Sequence, residues 1–260
     1  MPAASLEKGC RVFSSIRIGP VRDNEIKTIT DLGNAPGHRT YTRTYPRVYR
    51  VRGTLLSRKP RQHSLPVAAA FVLMIVGTSL LAWRNGEALL PSLSASQAAL
   101  EGHEYWRLLT AVAVHSDLQH LFSNIIFVAL FSYLLYGYFG FWVFPALGLA
   151  LAALANYLSL LTYPPGVSLV GASGLVYWMA GFWLSMYLAV ERTLSPGKRV
   201  MRAMGIALVI LLPTTFDENV GYRAHAIGFG LGMIAALVYF RWSRQSIRAA
   251  EVIEVEMADP

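Results

Sequence analysis

Apolar residues run along this chain in long blocks with no charge inside them, rather than in the alternating or helical rhythm of a soluble core. Between Leu118 and Val190 there is no Asp, Glu, Lys or Arg over 73 residues. At about 20 residues per bilayer crossing, that block holds three spans. Turn-forming residues interrupt it at Gly137-Tyr138-Phe139-Gly140 and at Tyr163-Pro164-Pro165-Gly166, which predicts spans over 118–136, 141–161 and 173–190. Upstream, 66–83 is a charge-free apolar run closed by Arg84-Asn85-Gly86, and downstream 204–215 and 222–242 complete a set of six. The fifth is the shortest, with 14 residues between Arg202 and Asp217. Each span must be helical, because an isolated strand leaves its backbone groups unsatisfied in lipid. The pattern predicts an all-α polytopic membrane protein, a bundle of six transmembrane helices.

Composition agrees with that pattern. Of 260 residues, 54% are hydrophobic and 15% charged, with a mean hydropathy of +0.41. A soluble domain carries roughly a quarter charged residues, so a disordered chain and an ordinary water-soluble enzyme are both excluded. The net charge of +8 would suit nucleic acid if it were spread over the surface, but it is not. Residues 1–64 hold 13 of the 23 Lys and Arg against four acids, whereas the other 196 residues sum to −1. No nucleic-acid partner is implied. The domains expected are a basic, disordered cytoplasmic tail over 1–64, a membrane domain over 65–242 and a cytoplasmic C-terminal tail over 243–260. The basic tail suits an anionic lipid surface, where each Lys or Arg is worth about 1 kcal/mol. An organelle-targeting reading of the Arg-rich residues 8–22 stands beside it, opposed by Glu7, Asp23 and Glu25. The single cysteine, Cys10, excludes an intramolecular disulfide and any CxxC pair.

Orientation follows from the basic residues. With the N-terminus inside, the cytoplasmic segments carry 20 Lys and Arg, and the opposite side carries only Arg84, Arg107 and Arg223. The positive-inside rule therefore places both termini in the cytoplasm. The long loop 84–117 holds Tyr105-Trp106-Arg107-Leu108-Leu109, an aromatic and cationic cluster suited to the membrane interface. It is expected to be structured and to lie against the outer leaflet.

Polar groups inside spans are costly and point to function. Span two opens with His120 and Asn124, four residues apart and on one helical face. Span four opens with Ser173 in Gly171-Ala172-Ser173-Gly174, and span six with His225, followed by Gly228 and Gly232. These three spans all run from outside to inside, so their starts share one depth below the extracytoplasmic surface. A serine becomes a nucleophile when a base takes its proton, and histidine is the usual base. A helix N-terminus with two further donors, here His120 and Asn124, suits a developing oxyanion. Gly228 and Gly232 form a small-xxx-small face for close packing against a neighbouring helix. The chemistry implied is acyl transfer, with peptide hydrolysis the natural case. Other readings stand beside it: Ser173 as a simple helix cap, and His120 with Asn124 as interhelical hydrogen-bonding groups. A metal site from His115, Asp117, His120 and His225 is disfavoured, since His115 and His120 are five apart and no HExxH occurs. Neither a metal nor a cofactor is expected.

Over roughly residues 101–240 these motifs resemble the rhomboid intramembrane serine proteases. The resemblance rests on Trp106-Arg107, His120 and Asn124 at their spacing, Gly171-Ala172-Ser173-Gly174, and Ala224-His225 with Gly228 and Gly232. It implies a Ser173–His225 dyad without a carboxylate, and an oxyanion hole from His120, Asn124 and the Ser173 backbone N–H. It further implies that the base histidine packs on Tyr177, one turn after the serine, although that tyrosine also reads as a core aromatic. His115 resembles a histidine the family often places just before the second helix. The expected activity is cleavage of transmembrane protein substrates near the extracytoplasmic face, in a bacterial inner membrane by size and topology. The rival is a non-catalytic rhomboid-like protein that binds transmembrane clients. Relatives of that kind usually lack the serine or the histidine, and this chain keeps both. A small transporter would show repeat symmetry between its halves, which the sequence lacks.

Overall fold

The computed structural model describes residues 47–85, 89–211 and 221–257. The order begins with strand β1 (Arg47–Gly53) and helix α1 (Ser64–Arg84). The loop that follows carries three short helices, α2 (Leu89–Leu93), α3 (Gln97–Glu101) and α4 (Arg107–Ala113), with the two-residue strand β2 (Ala95–Ser96) between the first two. Then come α5 (Leu118–Phe139), a wide turn over Trp142–Leu147 running into α6 (Gly148–Leu160), and strand β3 (Ser168–Leu169). Helices α7 (Ser173–Val190), α8 (Pro196–Leu211) and α9 (Tyr222–Ala249) and strand β4 (Val252–Met257) complete the chain.

Five helices among the described residues are long and apolar enough to cross a membrane: α1, α5, the Trp142–Leu160 helix, α7 and α9. This is an all-α polytopic membrane protein. The spans expected over 66–83, 118–136, 141–161 and 173–190 are the observed helices to within a few residues. The expected fifth span, 204–215, begins within α8, and its last residues lie outside the described ones. Helix α5 ends only at Phe139, because the chain reverses through Gly140 alone, at φ +83.

Helix α7 is the axis of the bundle. Eleven of its 18 residues are buried, against five of the 21 in α1. Trp178, Phe182 and Met179 of α7 pack with Phe131 and Leu135 of α5 and Phe144 in one core. Helix α9 lies directly on α7. A Cβ placed on Gly228 would lie 2.5 Å from the Gly174 carbonyl oxygen, and one on Gly232 would lie 2.1 Å from that of Trp178. From the other side, a Cβ on Gly181 would lie 2.3 Å from the Phe229 carbonyl oxygen. Three glycines thus let two backbones touch where any side chain would hold them apart.

The loop between α1 and α5 is structured, as expected. Strand β2 pairs antiparallel with β3, joining this loop to the segment before α7. Gln97 donates to the Leu160 and Tyr163 carbonyls at 2.8 and 2.9 Å. Tyr105, Trp106 and Leu109 stay exposed.

The structure describes part of each expected terminal segment. Residues 47–53 form β1 and α1 begins at Ser64, within the segment expected to be a disordered tail, and α9 extends to Ala249 before β4, within the segment expected to be a cytoplasmic C-terminal tail. Strands β1 and β4 pair antiparallel, with Tyr49 opposite Val255 and Arg50 opposite Glu254. The segment after β1 docks on the end of α5. The Tyr138 hydroxyl contacts the Leu56 and Arg58 carbonyls at 3.2 Å, and the Arg61 amide donates to the Gly137 carbonyl at 3.0 Å. A count of charges in a tail cannot register these pairings, because they depend on partners about 80 to 200 residues away. Residues 1–46 of the expected basic tail lie outside the described residues.

Candidate active site

The starts of α5, α7 and α9 meet at one end of the bundle, as the topology required. Asp117 caps α5, its Oδ1 accepting the His120 backbone N–H at 2.8 Å. That cap fixes the first turn of α5 and with it the His120 ring. The ring's Cε1–Nε2 edge faces Gly171, where an added Cβ would sit 2.5 Å from Cε1 and 2.7 Å from Nε2. Gly171 itself has φ +108, a conformation that suits glycine, and its N–H donates to the Ala111 carbonyl at 2.8 Å. Glycine is needed at this position both for the turn and for the room the imidazole takes.

Ser173 is the first helical residue of α7, with Ala172 at the cap position. No side chain of its own segment caps this helix. Instead the Ala172 N–H donates to His115 Nε2 at 3.2 Å. A ring nitrogen that accepts carries no proton, so His115 holds its proton on Nδ1, which lies 3.2 Å from Ser79 Oγ on α1. The Trp83 indole donates to the His115 carbonyl at 2.7 Å. Helix α1 therefore clamps the loop that caps α7. Burial pushes the His115 imidazole down to about 3, so it is neutral at physiological pH. The His115 and His120 rings meet edge to face at 5.0 Å.

His225 stacks on Tyr177, with ring centroids 4.1 Å apart and planes 8° from parallel. Tyr177 lies one turn beyond Ser173 on the same face of α7. The Gly228 contact with Gly174 holds the His225 turn of α9 against the Ser173 turn of α7. His225 Nδ1 is buried and has no hydrogen-bond partner among the described residues. No hydrogen bond joins Ser173 to His225 among these residues, so packing brings the two turns together. Asn124 is buried, and one of its amide protons goes to the carbonyl of His120 in the preceding turn, at 2.9 Å.

Trp106 and Arg107 lie apart from this cluster. Arg107 pairs with Glu104 at 2.6 Å, donates to the Pro91 carbonyl at 2.9 Å and sits 5.4 Å from the Trp106 ring centre. Both residues belong to the folding of the loop, not to the histidine–serine cluster. Sequence reading missed Ser79, Trp83 and Asn156. The Asn156 amide, buried in α6, donates to the Leu108 carbonyl at 2.9 Å and ties α6 to α4. Ser79 and Asn156 are polar residues inside apolar spans, a signal that was present but unused.

A polytopic α-helical membrane protein with a serine and two histidines at neighbouring helix starts is the class that fold and site define. Residues 102–242 match the family model of the Rhomboid domain, more than half of the chain, and the protein belongs to the rhomboid family. The chain is also 23% identical over 160 residues to a protein of Bacillus subtilis (strain 168) named "Putative rhomboid protease YdcA". That alignment covers 62% of this chain and 77% of the relative.

Proposed function

We propose that this rhomboid protein is an intramembrane serine endopeptidase that cuts transmembrane substrates near the extracytoplasmic membrane face. Ser173 Oγ attacks the scissile carbonyl carbon while His225 takes its proton. The tetrahedral oxyanion is held by the Ser173 backbone N–H at the start of α7 and by the second amide proton of Asn124, and by His120 when its Nε2 carries a proton. His225 then passes the proton to the leaving amine. Water, activated by the same histidine, releases the acyl-enzyme and regenerates the serine. No carboxylate orients the base in this scheme; Tyr177 does so by stacking on it. The observation that carries the reading is this stack, which holds the His225 ring one turn from Ser173. Gly171, Gly174, Gly228 and Gly232 serve by allowing backbone approach, and Trp106 with Arg107 by shaping the loop.

The 20-to-three distribution of basic residues supports a reading with both termini in the cytoplasm and the site toward the outside, and size and topology suit a bacterial inner membrane. The membrane domain then spans 65–242, and the basic N-terminal segment lies on anionic lipid. The test is cleavage of a single-span model substrate with a helix-breaking residue near its outer end, co-reconstituted with the full chain in liposomes. Wild-type protein releases a fragment, and Ser173→Ala, folded to the same thermal stability, releases none. Equal cleavage by both proteins would end the proposal.

A further inference from the structure

Ser116 and Asp117 stand between His115 and α5 and have no role in the scheme above beyond the helix cap. Only one oxygen of the Asp117 carboxylate is spent on that cap. The other, Oδ2, accepts from the Ser116 hydroxyl at 2.8 Å. The same Ser116 Oγ lies 3.2 Å from His120 Nδ1. A hydroxyl has one proton to give. The bond to an ionised carboxylate is charge-assisted and the stronger of the two choices. The His120 backbone N–H, and after it the Ser116 hydroxyl, hold the Asp117 carboxyl below its usual range, so it is ionised at physiological pH. With its proton given to Asp117, Ser116 turns lone pairs toward the imidazole, and Nδ1 must be the nitrogen that carries a hydrogen. The opposite nitrogen, Nε2, is the one on the Gly171 side, beside the turn that holds Ser173.

We propose that Asp117, acting through Ser116, sets which ring nitrogen of His120 carries the proton and is thereby a positioning residue for the oxyanion site. The functional meaning rests on the protease reading; the tautomer itself does not. Neutral His120 presents a bare Nε2 to the Ser173 turn. It becomes a donor there only on taking a second proton, and the Asp117 carboxylate balances that charge across one hydroxyl. Among the described residues, three titratable groups lie near the ring: Asp117 at the cap of its own helix, His115 edge-on at 5.0 Å and neutral, and His225 of α9 within electrostatic reach.

Asp117→Asn separates this role from capping. Asparagine is as good an N-cap as aspartate and keeps an oxygen for the His120 N–H. Its amide donates to Ser116, so the Ser116 hydroxyl is free to donate to Nδ1, and the ring proton moves to Nε2. The experiment is nitrogen NMR of the full chain, ring-labelled at histidine, in detergent micelles above about pH 8, where a free histidine is neutral. His120→Gln assigns the signal by difference. Wild type is expected to carry the proton on Nδ1 and Asp117→Asn on Nε2, an inversion of the tautomer ratio by on the order of tenfold or more. Ser116→Ala removes the relay but leaves the cap, so it should lose the wild-type preference, and Asp117→Asn added to it should change nothing further. The same tautomer in wild type and Asp117→Asn, or an unchanged preference in Ser116→Ala, overturns the proposal. The readout needs no proteolysis, so it stands apart from the test of Ser173 and His225.

Discussion

At the end of the bundle that carries Ser173 and His225, helices meet through backbone atoms and neutral, hydrogen-bonded side chains. Glycine lets α9 touch α7, and His115 joins α1 to the α7 cap. At the opposite end, charge does the joining. Arg52 of β1 pairs with Glu254 of β4, and Glu251 takes Arg192 at 3.1 Å and Arg248 at 2.6 Å. The two ends therefore differ in tolerance. Backbone contacts fail with the addition of one carbon, whereas the exposed Arg52–Glu254 pair is worth little; Glu251, buried between its two arginines, is the exception at that end. Backbone precision is concentrated where the candidate chemistry is, and the other end joins β1 to β4 and the segments flanking them to the ends of α5 and α7.

The largest effect should come from Gly232→Ala. The new methyl would lie 2.1 Å from the Trp178 carbonyl oxygen and 2.9 Å from the Phe182 nitrogen, neither of which can swing away as a side-chain tip could. Overpacking of this kind costs about 1–3 kcal/mol. It also moves His225 relative to Ser173, and misplacement by about 1 Å can lower a rate by ~100-fold. Thermal unfolding and substrate cleavage should both fall. Wild-type values for both would show that the α7–α9 contact is not the tight joint described here.

The second effect is one of pH. Burial holds the His115 imidazole down at about 3, below its ordinary 6.5, so between those values the unfolded chain binds the proton and the folded chain does not. Stability is then fully present above about pH 6.5 and declines as pH falls toward 3, by a few kcal/mol. Asp117, also held low, adds to the decline in the same direction further down. His115→Gln should be less stable at neutral pH but flatter between pH 6.5 and 4.5. Denaturation midpoints measured across that range check it, and parallel curves for the two proteins would contradict it.

The smallest effect should come from Arg52→Ala in the β1–β4 ribbon. The Arg52 side chain is 51% exposed and its Glu254 partner 32%, and a pair of this kind contributes about 0.2–1 kcal/mol. Melting temperature should fall slightly and cleavage should not change. A loss of activity matching that of Gly232→Ala would erase the contrast between the two ends.

Much of this arrangement was legible in the sequence, for identifiable reasons. The uncharged block from Leu118 to Val190 has no other physical solution than buried helices, so α5, α6 and α7 fall where the pattern put them. Helix direction alone brought His120, Ser173 and His225 to one depth. Gly228 and Gly232 announced close packing by their spacing, and they have it against Gly174 and Trp178. What the sequence concealed depends on distant partners. Nothing near Ser79 or Trp83 reveals that α1 holds His115, and nothing in Arg47–Gly53 names Val252–Met257 as its partner. The relay through Ser116 was hidden for another reason: it turns on where one hydroxyl proton goes, which only distances can suggest.

Everything proposed for the site depends on Ser173 being a nucleophile activated by His225. The most direct test is labelling of the detergent-solubilised full chain with a fluorescent fluorophosphonate, comparing wild type with Ser173→Ala and His225→Ala. Labelling in wild type that vanishes in Ser173→Ala and falls to background in His225→Ala is the predicted result. Folded wild-type protein that takes up no label, or label that persists in Ser173→Ala, would contradict the claim and leave a rhomboid protein whose serine and histidine meet without reacting.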